Sequence, residues 1–543
     1  RGLALSDASG VGAFADYDRD GWLDVYVQTN LLDSETAPKG GRDRLYRNLG
    51  DGRFEDVTER AGLRAEGTQG HAVVWWDFDE DGWPDLYVAN DFAVADFLYR
   101  NNGDGTFTEM IDAAVPHFPF SSMGADLGDV NNDGRVDFLA TEMAASTPQK
   151  YHRGMSEARA RGQMEDPTPG RAQHYMRNAL YVNTGTGVFQ EAGYLAGLAA
   201  TDWTWSVRFE DLDNDGRLDL HVTNGMYREM NNADLLHRQM TTESLPGRVQ
   251  LVKASPVFRE RNFAFRNRGE LEFEDVSAAW GLDQRSVSFG AAFGDLDGDG
   301  DLDLVYANYE AGVTVLRNDA ATGNRAVFAL RGTRSNRFGI GAVVRIETEA
   351  GVQVRPLTVA RGYLSSSEPV VHFGLGGAER IQNVEIRWPS GTVQRWEDLP
   401  VNRRFVVTEP ADGEATRSGG GKEKGRMFED VSEAAGFAWR SREGDVDETA
   451  AQPLRPMRHN RRGPGLAMID FDGDGAEDVA IGGTPRDPLR LQHRSERGKF
   501  SLIGTIAEAG EAPLNDGPIL AFDANGDGRT DLLQTKGGAA LPA

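Results

Sequence analysis

The stretch Asp295-Leu-Asp297-Gly-Asp299-Gly300-Asp301-Leu-Asp303 decides the fold, because its pattern, D-x-[DN]-x-D-G-x-x-D, occurs seven times in the chain. The other copies begin at Asp16, Asp77, Asp129, Asp211, Asp470 and Asp523. Oxygen-bearing side chains at positions one, three, five and nine converge on one cation only where the backbone wraps tightly around it. The Gly at position six of every copy permits that turn. The ligand sets are Asp16, Asp18, Asp20 and Asp24; Asp77, Asp79, Asp81 and Asp85; Asp129, Asn131, Asp133 and Asp137; and Asp211, Asp213, Asp215 and Asp219. They continue with Asp295, Asp297, Asp299 and Asp303; Asp470, Asp472, Asp474 and Asp478; and Asp523, Asn525, Asp527 and Asp531. A main-chain carbonyl at position seven completes each shell, from Trp22, Trp83, Arg135, Arg217, Asp301, Ala476 and Arg529. Hard oxygen donors without sulfur point to Ca²⁺, up to seven ions, rather than to zinc or copper.

An EF-hand begins with the same D-x-D-x-D-G but needs Glu at position twelve and a helix on each side. Position twelve here is Val27, Val88, Ala140, Val222, Tyr306, Ile481 and Gln534, and the flanks read as strands, such as Asp85-Leu-Tyr-Val-Ala89. The ninth residue therefore opens a strand, and the loop is the tip of a β-hairpin.

The chain has 543 residues, enough for several domains. Its net charge of −27 is largely that of the metal-free protein, because 26 of the 85 acidic residues are loop ligands. There is no basic stripe for nucleic acid. The absence of Cys excludes disulfides, thiol catalysis and zinc–thiolate sites. No apolar run is long enough to span a membrane, and no signal peptide is visible.

A longer unit of four short strands repeats around each loop. One strand leads in (Ala72–Trp76), one leads out (Leu86–Asn90), and a third (Phe97–Asn101) passes through the turn Asn102-Gly-Asp-Gly105 to a fourth at Phe107. After such turns comes the phrase Phe54-Glu-Asp-Val, echoed at Phe273-Glu-Asp-Val and Phe428-Glu-Asp-Val. Four strands per repeat with periodic Gly and aromatics predict an all-β fold of propeller blades. Two excursions, about Ala144–Arg177 and Met226–Arg261, separate second from third strands, the latter with a helix near Ala233–Thr242. Because the calcium hairpin joins strands one and two, these excursions emerge on the opposite face, a candidate contact surface.

The domain reading is a propeller over 1–326 with five calcium-loop blades, a β-rich module over 327–410 without such loops, a linker over 411–426, and two blades of a second propeller over 427–543. Both ends fall inside blades on this reading. The natural chain is then expected to be longer, or neighbouring copies complete the broken blades by strand addition.

The blades resemble FG-GAP/VCBS repeats, the calcium-loop blades also found in the propeller of integrin α-subunits. The module resembles the ASPIC/UnbV domain at Asn336, Gly339-Ile-Gly-Ala342, Arg361-Gly-Tyr363, Phe373-Gly-Leu-Gly376 and Trp388-Pro-Ser-Gly391. The order of propeller, module and propeller is similar to that of exported bacterial proteins of the cartilage acidic protein-like family. The resemblance implies secreted, extracellular or cell-surface modules, stabilised by calcium and used in adhesion or carbohydrate contact, with six or seven blades in the first propeller.

The leading functional expectation is a non-catalytic extracellular scaffold or adhesive protein whose Ca²⁺ ions rigidify the blades. It self-assembles into a fibre or surface layer, or meets a cell-surface polysaccharide or protein. The alternative is a polysaccharide-binding or polysaccharide-lyase-like protein using the face opposite the calcium loops. A lyase would draw on His152, Arg153, His174, Arg177, His237 and Arg238. Passive carbohydrate binding would use Trp75, Trp76, Trp203 or Trp205 as platforms, against which stands their packing as core between blades.

Overall fold

The computed structural model describes residues 3, 9–30, 42–64, 67–91, 94–154, 172–229, 232–319, 322–411 and 428–430, and parts of 432–537. Alternation of apolar residues around each acidic hairpin produces the expected blades. Four antiparallel strands pair in order in blade one (Ser9–Ala15, Asp24–Thr29, Arg44–Asn48, Phe54–Asp56) and in blade two (Gly70–Trp76, Asp85–Asn90, Phe97–Asn101, Phe107–Glu109). Blade three uses Ala125–Gly128, Asp137–Ala140, Ala179–Asn183 and Phe189–Glu191, and blade four uses Thr204–Glu210, Asp219–Asn224, Phe263–Asn267 and Phe273–Asp275. The second strand of each is buried throughout, as a strand covered on both faces must be.

Blade five corrects the domain reading. Its strands Ser288–Gly294, Asp303–Asn308 and Thr314–Asn318 are completed by Phe428–Asp430, with Asn318 opposite Phe428 and Leu316 opposite Asp430. The module is therefore an insertion in the turn between the third and fourth strands of this blade. The segment from 427 onward does not begin a second propeller. Leu466–Ile469, Asp478–Ile481, Leu489–Arg494 and Phe500–Ile506 form blade six, and Asn515–Phe522 with Asp531–Gly537 belong to blade seven.

These blades lie in one ring. Ala292 and Val305 of blade five share a core with Leu466, Met468 and Val479 of blade six. Ala467 and Ala480 of blade six pack with Ile519 of blade seven. Leu520 and Phe522 pack with Phe14, Val25 and Val27 of blade one, the Phe14 and Phe522 rings lying 4.4 Å apart. Seven blades thus pack against one another in sequence, and blade one holds four strands within 9–56. Closure buries apolar faces that isolated blades would expose. Residues 412–427, which contain most of the expected linker, lie outside the described residues.

The module is a pair of sheets around its own core of Phe328, Val344, Ile346, Phe373, Val384 and Trp388. One sheet orders Val370–Gly376, Asn324–Arg331 and Arg403–Thr408; the other orders Gly351–Pro356, Val343–Thr348, Arg380–Arg387 and Val393–Pro400. Since third strands run towards the acidic loops, an insertion after Asn318 emerges on the loop face, and there the module sits. Arg19 Nε donates to Pro389 O at 2.7 Å, and Gly376 N donates to Asn214 O at 2.8 Å.

From the module, the segment 357–368 enters the centre of the ring. Gly362 N donates to Ala125 O at 2.7 Å, and Ala291 N and Phe293 N donate to the hydroxyls of Ser365 and Ser367. Tyr363 packs against Trp205 and His71, with ring centroids 4.9 and 5.7 Å away. Arg361 grips Asp126 with two nitrogens, at 2.5 and 2.8 Å, and Glu210 at 3.0 Å. Buried Arg208 reaches Glu210 at 2.7 Å and Ser367 at 2.6 Å, so two arginines face two carboxylates. Such a buried cluster is stable only while every partner is present.

Candidate metal centres on the loop face

Each described loop is built the same way. The position-one carboxylate accepts the position-six N–H: Gly21 to Asp16, Gly82 to Asp77, Gly134 to Asp129, Gly216 to Asp211 and Gly300 to Asp295, at 2.8–3.1 Å. The glycine sits at φ +93° in the second loop, a conformation that a side chain would strain. The position-five carboxylate accepts the position-seven N–H, as in Trp83 to Asp81 at 2.9 Å. These bonds turn the remaining carboxylate oxygens inward.

Position nine has a part that its sequence spacing does not show. Asp85 accepts from Phe78 N at 2.9 Å and from Asn101 N at 2.7 Å. Asp24, Asp137, Asp219, Asp303 and Asp478 repeat this double acceptance, so each ties its loop to the third strand of its blade. The Asn at the end of that strand then locks neighbouring blades. Asn101 donates to Tyr17 O, Asn183 to Phe78 O, Asn267 to Val130 O and Asn318 to Leu212 O, all at 2.8–2.9 Å. The recurrent Arg-Asn of the third strands was the sequence signal for this lock. Blade six carries Arg494 in place of Asn.

Carboxylate oxygens converge within 4.8 Å of one another in Asp16, Asp18 and Asp24; Asp77, Asp79 and Asp85; Asp211, Asp213 and Asp215; and Asp295, Asp297 and Asp299. In blade six Asp472 and Asp478 converge with His493, a residue the spacing does not single out. Its Nδ1 lies 3.1 Å from Asp478 and 3.3 Å from Asp472. Arg47 and Arg266 occupy the equivalent strand position and pair with Asp20 at 2.8 Å and Asp213 at 2.6 Å. Of the seventh set, Asp523 and Asp531 are described; Asn525, Asp527 and Arg529 lie outside the described residues.

Burial and crowding push these carboxyls up. Asp16 rises to about 7, first by desolvation and then by repulsion from Asp20 and Asp18. Asp77 and Asp295 also rise to about 7, and Asp129 to about 6, with desolvation leading in each. Asp24, Asp85, Asp137, Asp219 and Asp303 are held well above the carboxylate range by burial. Buried Oδ1 atoms of Asp16, Asp18 and Asp77 have no hydrogen-bond partner among the described residues. Crowded, unsatisfied anionic oxygens fit a divalent cation, and the all-oxygen set with tight Gly turns fits Ca²⁺.

Of the Trp residues considered as platforms, Trp75, Trp76 and Trp205 are core, 4 %, 4 % and 1 % exposed, and Trp203 is half-buried. The basic residues considered for a lyase are spread over separate elements. His152 and Arg153 end the helix Pro148–Arg153, and His237 and Arg238 lie on the helix Ala233–Thr241. His174 packs on Phe118, and Arg177 donates to His117 Nε2 at 2.7 Å. Among the described residues no helix is long and apolar enough to cross a membrane.

The fold and its loops define a β-propeller of acidic-hairpin blades capped by a β-rich module. The FG-GAP-like repeat family matches residues 16–88, 77–140, 171–222, 247–337 and 470–533, more than half of the chain, and the ASPIC and UnbV family matches residues 332–414. The chain belongs to the FG-GAP repeat proteins and carries an ASPIC/UnbV domain. Cartilage acidic protein 1 of Homo sapiens is 26% identical over 343 residues, which are 62% of this chain and 43% of that protein. Cartilage acidic protein 1 of Xenopus tropicalis is 25% identical over 570 residues, 92% of this chain and 82% of that protein. The chain thus spans less than half the length of the human relative it matches. Among solved structures, an Agrocybe aegerita lectin recognising non-reducing terminal N-acetylglucosamine aligns at a TM-score of 0.38 and 13% identity, covering 97% of this chain and 85% of its own.

Proposed function

We propose that this is a non-catalytic extracellular scaffold protein in which Ca²⁺ at the hairpin loops rigidifies a seven-bladed ring. The observation that carries the reading is the repeated convergence of three carboxylates per loop, several of them buried, which the neighbouring arginines offset only in part. Loops of this kind in extracellular modules bind with Kd roughly 10⁻⁴–10⁻³ M, suited to millimolar external calcium. The residues that would hold the ions are positions one, three, five and nine of each loop and the position-seven carbonyl. When bound, the ion supplies the positive charge that the crowded carboxylates lack.

The module adds a second fastening. Arg325 reaches Asp301 at 2.9 Å, and segment 357–368 ties the inner strands of several blades. A ring closed by contacts at both its rim and its centre resists splaying, as a scaffold requires. Calorimetric titration of EDTA-stripped protein tests the reading. Several equivalents of Ca²⁺ per chain, with Mg²⁺ binding much more weakly, are expected; binding of less than one equivalent at millimolar calcium would sink it.

A further inference from the structure

The two excursions that break the blade repeat meet at one place on the face opposite the loops. Between them lies a cavity of about 210 Å³, with Met143, Trp203 and Phe258 as its apolar floor. Helix Pro148–Arg153, from the first excursion, supplies Gln149, Lys150 and Arg153 to its rim. The second excursion supplies Glu229, Asn232 and Glu260.

The polar wall is fixed in place. Lys150 Nζ bridges Asp202, at 2.6 Å, and Glu260, whose side chains are 3% and 7% exposed. Arg153 pairs with Glu229 at 2.5 Å. Asp202 adopts φ +65°, an uncommon conformation for a residue other than Gly, and is held there by accepting from Ser146 N at 2.8 Å as well as from Lys150. That turn places Trp203 at the cavity, while Trp75, Trp76 and Trp205 of the same ring are core. The Trp203 indole N–H has no acceptor among the described residues.

Chemistry narrows the ligand. Three carboxylates against two cations disfavour phosphates and uronic acids. Aromatic side chains beside a wall that offers both donors and acceptors suit an apolar ring face with hydroxyls at its edge. The volume is below that of pockets for drug-sized ligands, so it holds one ring, not a long chain. We propose that the cavity between the two excursions is a binding site for one neutral pyranose residue of a glycan, stacked on Trp203 and hydrogen-bonded by the rim of Lys150, Glu229, Asn232 and Glu260.

The test uses the full chain in 2 mM CaCl₂, titrated with the methyl glycosides of glucose, galactose, mannose and N-acetylglucosamine, and with methyl glucuronide as the charged comparator. Tryptophan fluorescence and saturation-transfer NMR give the readouts. Saturable binding of at least one neutral glycoside is expected, weakened about tenfold or more by Trp203→Ala, a loss of one stacking platform. The milder Asn232→Ser keeps the oxygen that caps helix Ala233–Thr241, which accepts from Asp234 N and Leu235 N, and removes only the amide donor. It is expected to weaken binding several-fold with little change in the thermal midpoint, so loss of the fold cannot imitate loss of the site. Tyr194→Ala, on an exposed side chain outside the cavity, is expected to change nothing. No saturable binding by any neutral glycoside, binding of the glucuronide alone, or undiminished binding by both Trp203→Ala and Asn232→Ser overturns the proposal.

Discussion

Loops two and four carry the same pattern and differ in what covers them. In loop two, Glu80, Asp81 and Gly82 are exposed at the rim. In loop four, Asp211, Asp213 and Asn214 are 2 %, 3 % and 1 % exposed, because the module lies on them. Gly376 N donates to Asn214 O, Thr322 Oγ1 donates to Asp213 O at 2.6 Å, and buried Arg355 offers its charge to Asp129 and Asp211. The hairpin is thus a local property of nine residues, while its dielectric surroundings and access are properties of the assembled protein. Asp77 rises to about 7 by desolvation, and Asp211 is held well above its ordinary value by desolvation and by repulsion from Asp215 and Asp213.

The largest effect expected is that of calcium removal. Each site filled at ten times its Kd stabilises the fold by about 1.4 kcal/mol, so seven loops together contribute roughly 10 kcal/mol. The thermal midpoint should fall by many degrees in EDTA. Stopped-flow chelation should release ions in at least two phases, the exposed loops first and loop four among the last. A single phase for all ions would erase the distinction between the two loops.

Next comes the centre of the ring. Arg361→Ala leaves Asp126, which is fully buried, with one fewer cation and should cost about 3–5 kcal/mol, read by denaturant unfolding. Were the loss below 1 kcal/mol, segment 357–368 would be a bystander rather than a fastening.

A more selective change follows. At Gly374 a Cβ would stand 2.1 Å from Asp211 Oδ2. Gly374→Ala should cost about 2 kcal/mol by overpacking and weaken one calcium equivalent in calorimetry, leaving loop two as it was. Equal weakening of all sites would show that the module acts on the ring as a whole.

The pH dependence has a definite sign. Without metal, Asp16, Asp77 and Asp295 have folded pKa values of about 7 against an ordinary 3.8, so their ionisation opposes folding. Stability in EDTA is therefore expected to fall as pH rises from about 4 through about 7. Calcium binds the ionised form, so in calcium the apparent affinity should climb over the same window. Parallel melts from pH 5 to 8 with and without calcium check both signs; the same slope in both samples would count against metal binding at these carboxylates.

The smallest effect is the lock between blades. Asn183→Ala removes hydrogen bonds to Phe78 O and Val136 O and should cost about 1 kcal/mol. Blade six, with Arg494 at that position, is the internal comparison: Arg494→Asn should stabilise its junction with blade five if the lock is general.

The domain reading went astray over Phe428-Glu-Asp-Val. Phe54-Glu-Asp and Phe273-Glu-Asp are fourth strands, and blade five lacks one before the module, so the sign was present in the sequence. What hid it was separation: Asn318 and Phe428 pair across the whole inserted domain, and no local pattern records such a partnership. His493 escaped notice for a related reason, since it joins Asp472 and Asp478 from the next strand rather than from the loop.

The sequence by itself determined the blade and the acidic hairpin, because both follow from spacing within a few residues: alternation for the strands, Gly for the turn, and carboxylates at fixed intervals. The tertiary structure alone decided that seven blades make one ring, that the module caps the loop face, and that Arg361 reaches Asp126 at its centre. Those outcomes depend on which distant apolar faces and buried charges satisfy one another, and that is settled only when the chain closes.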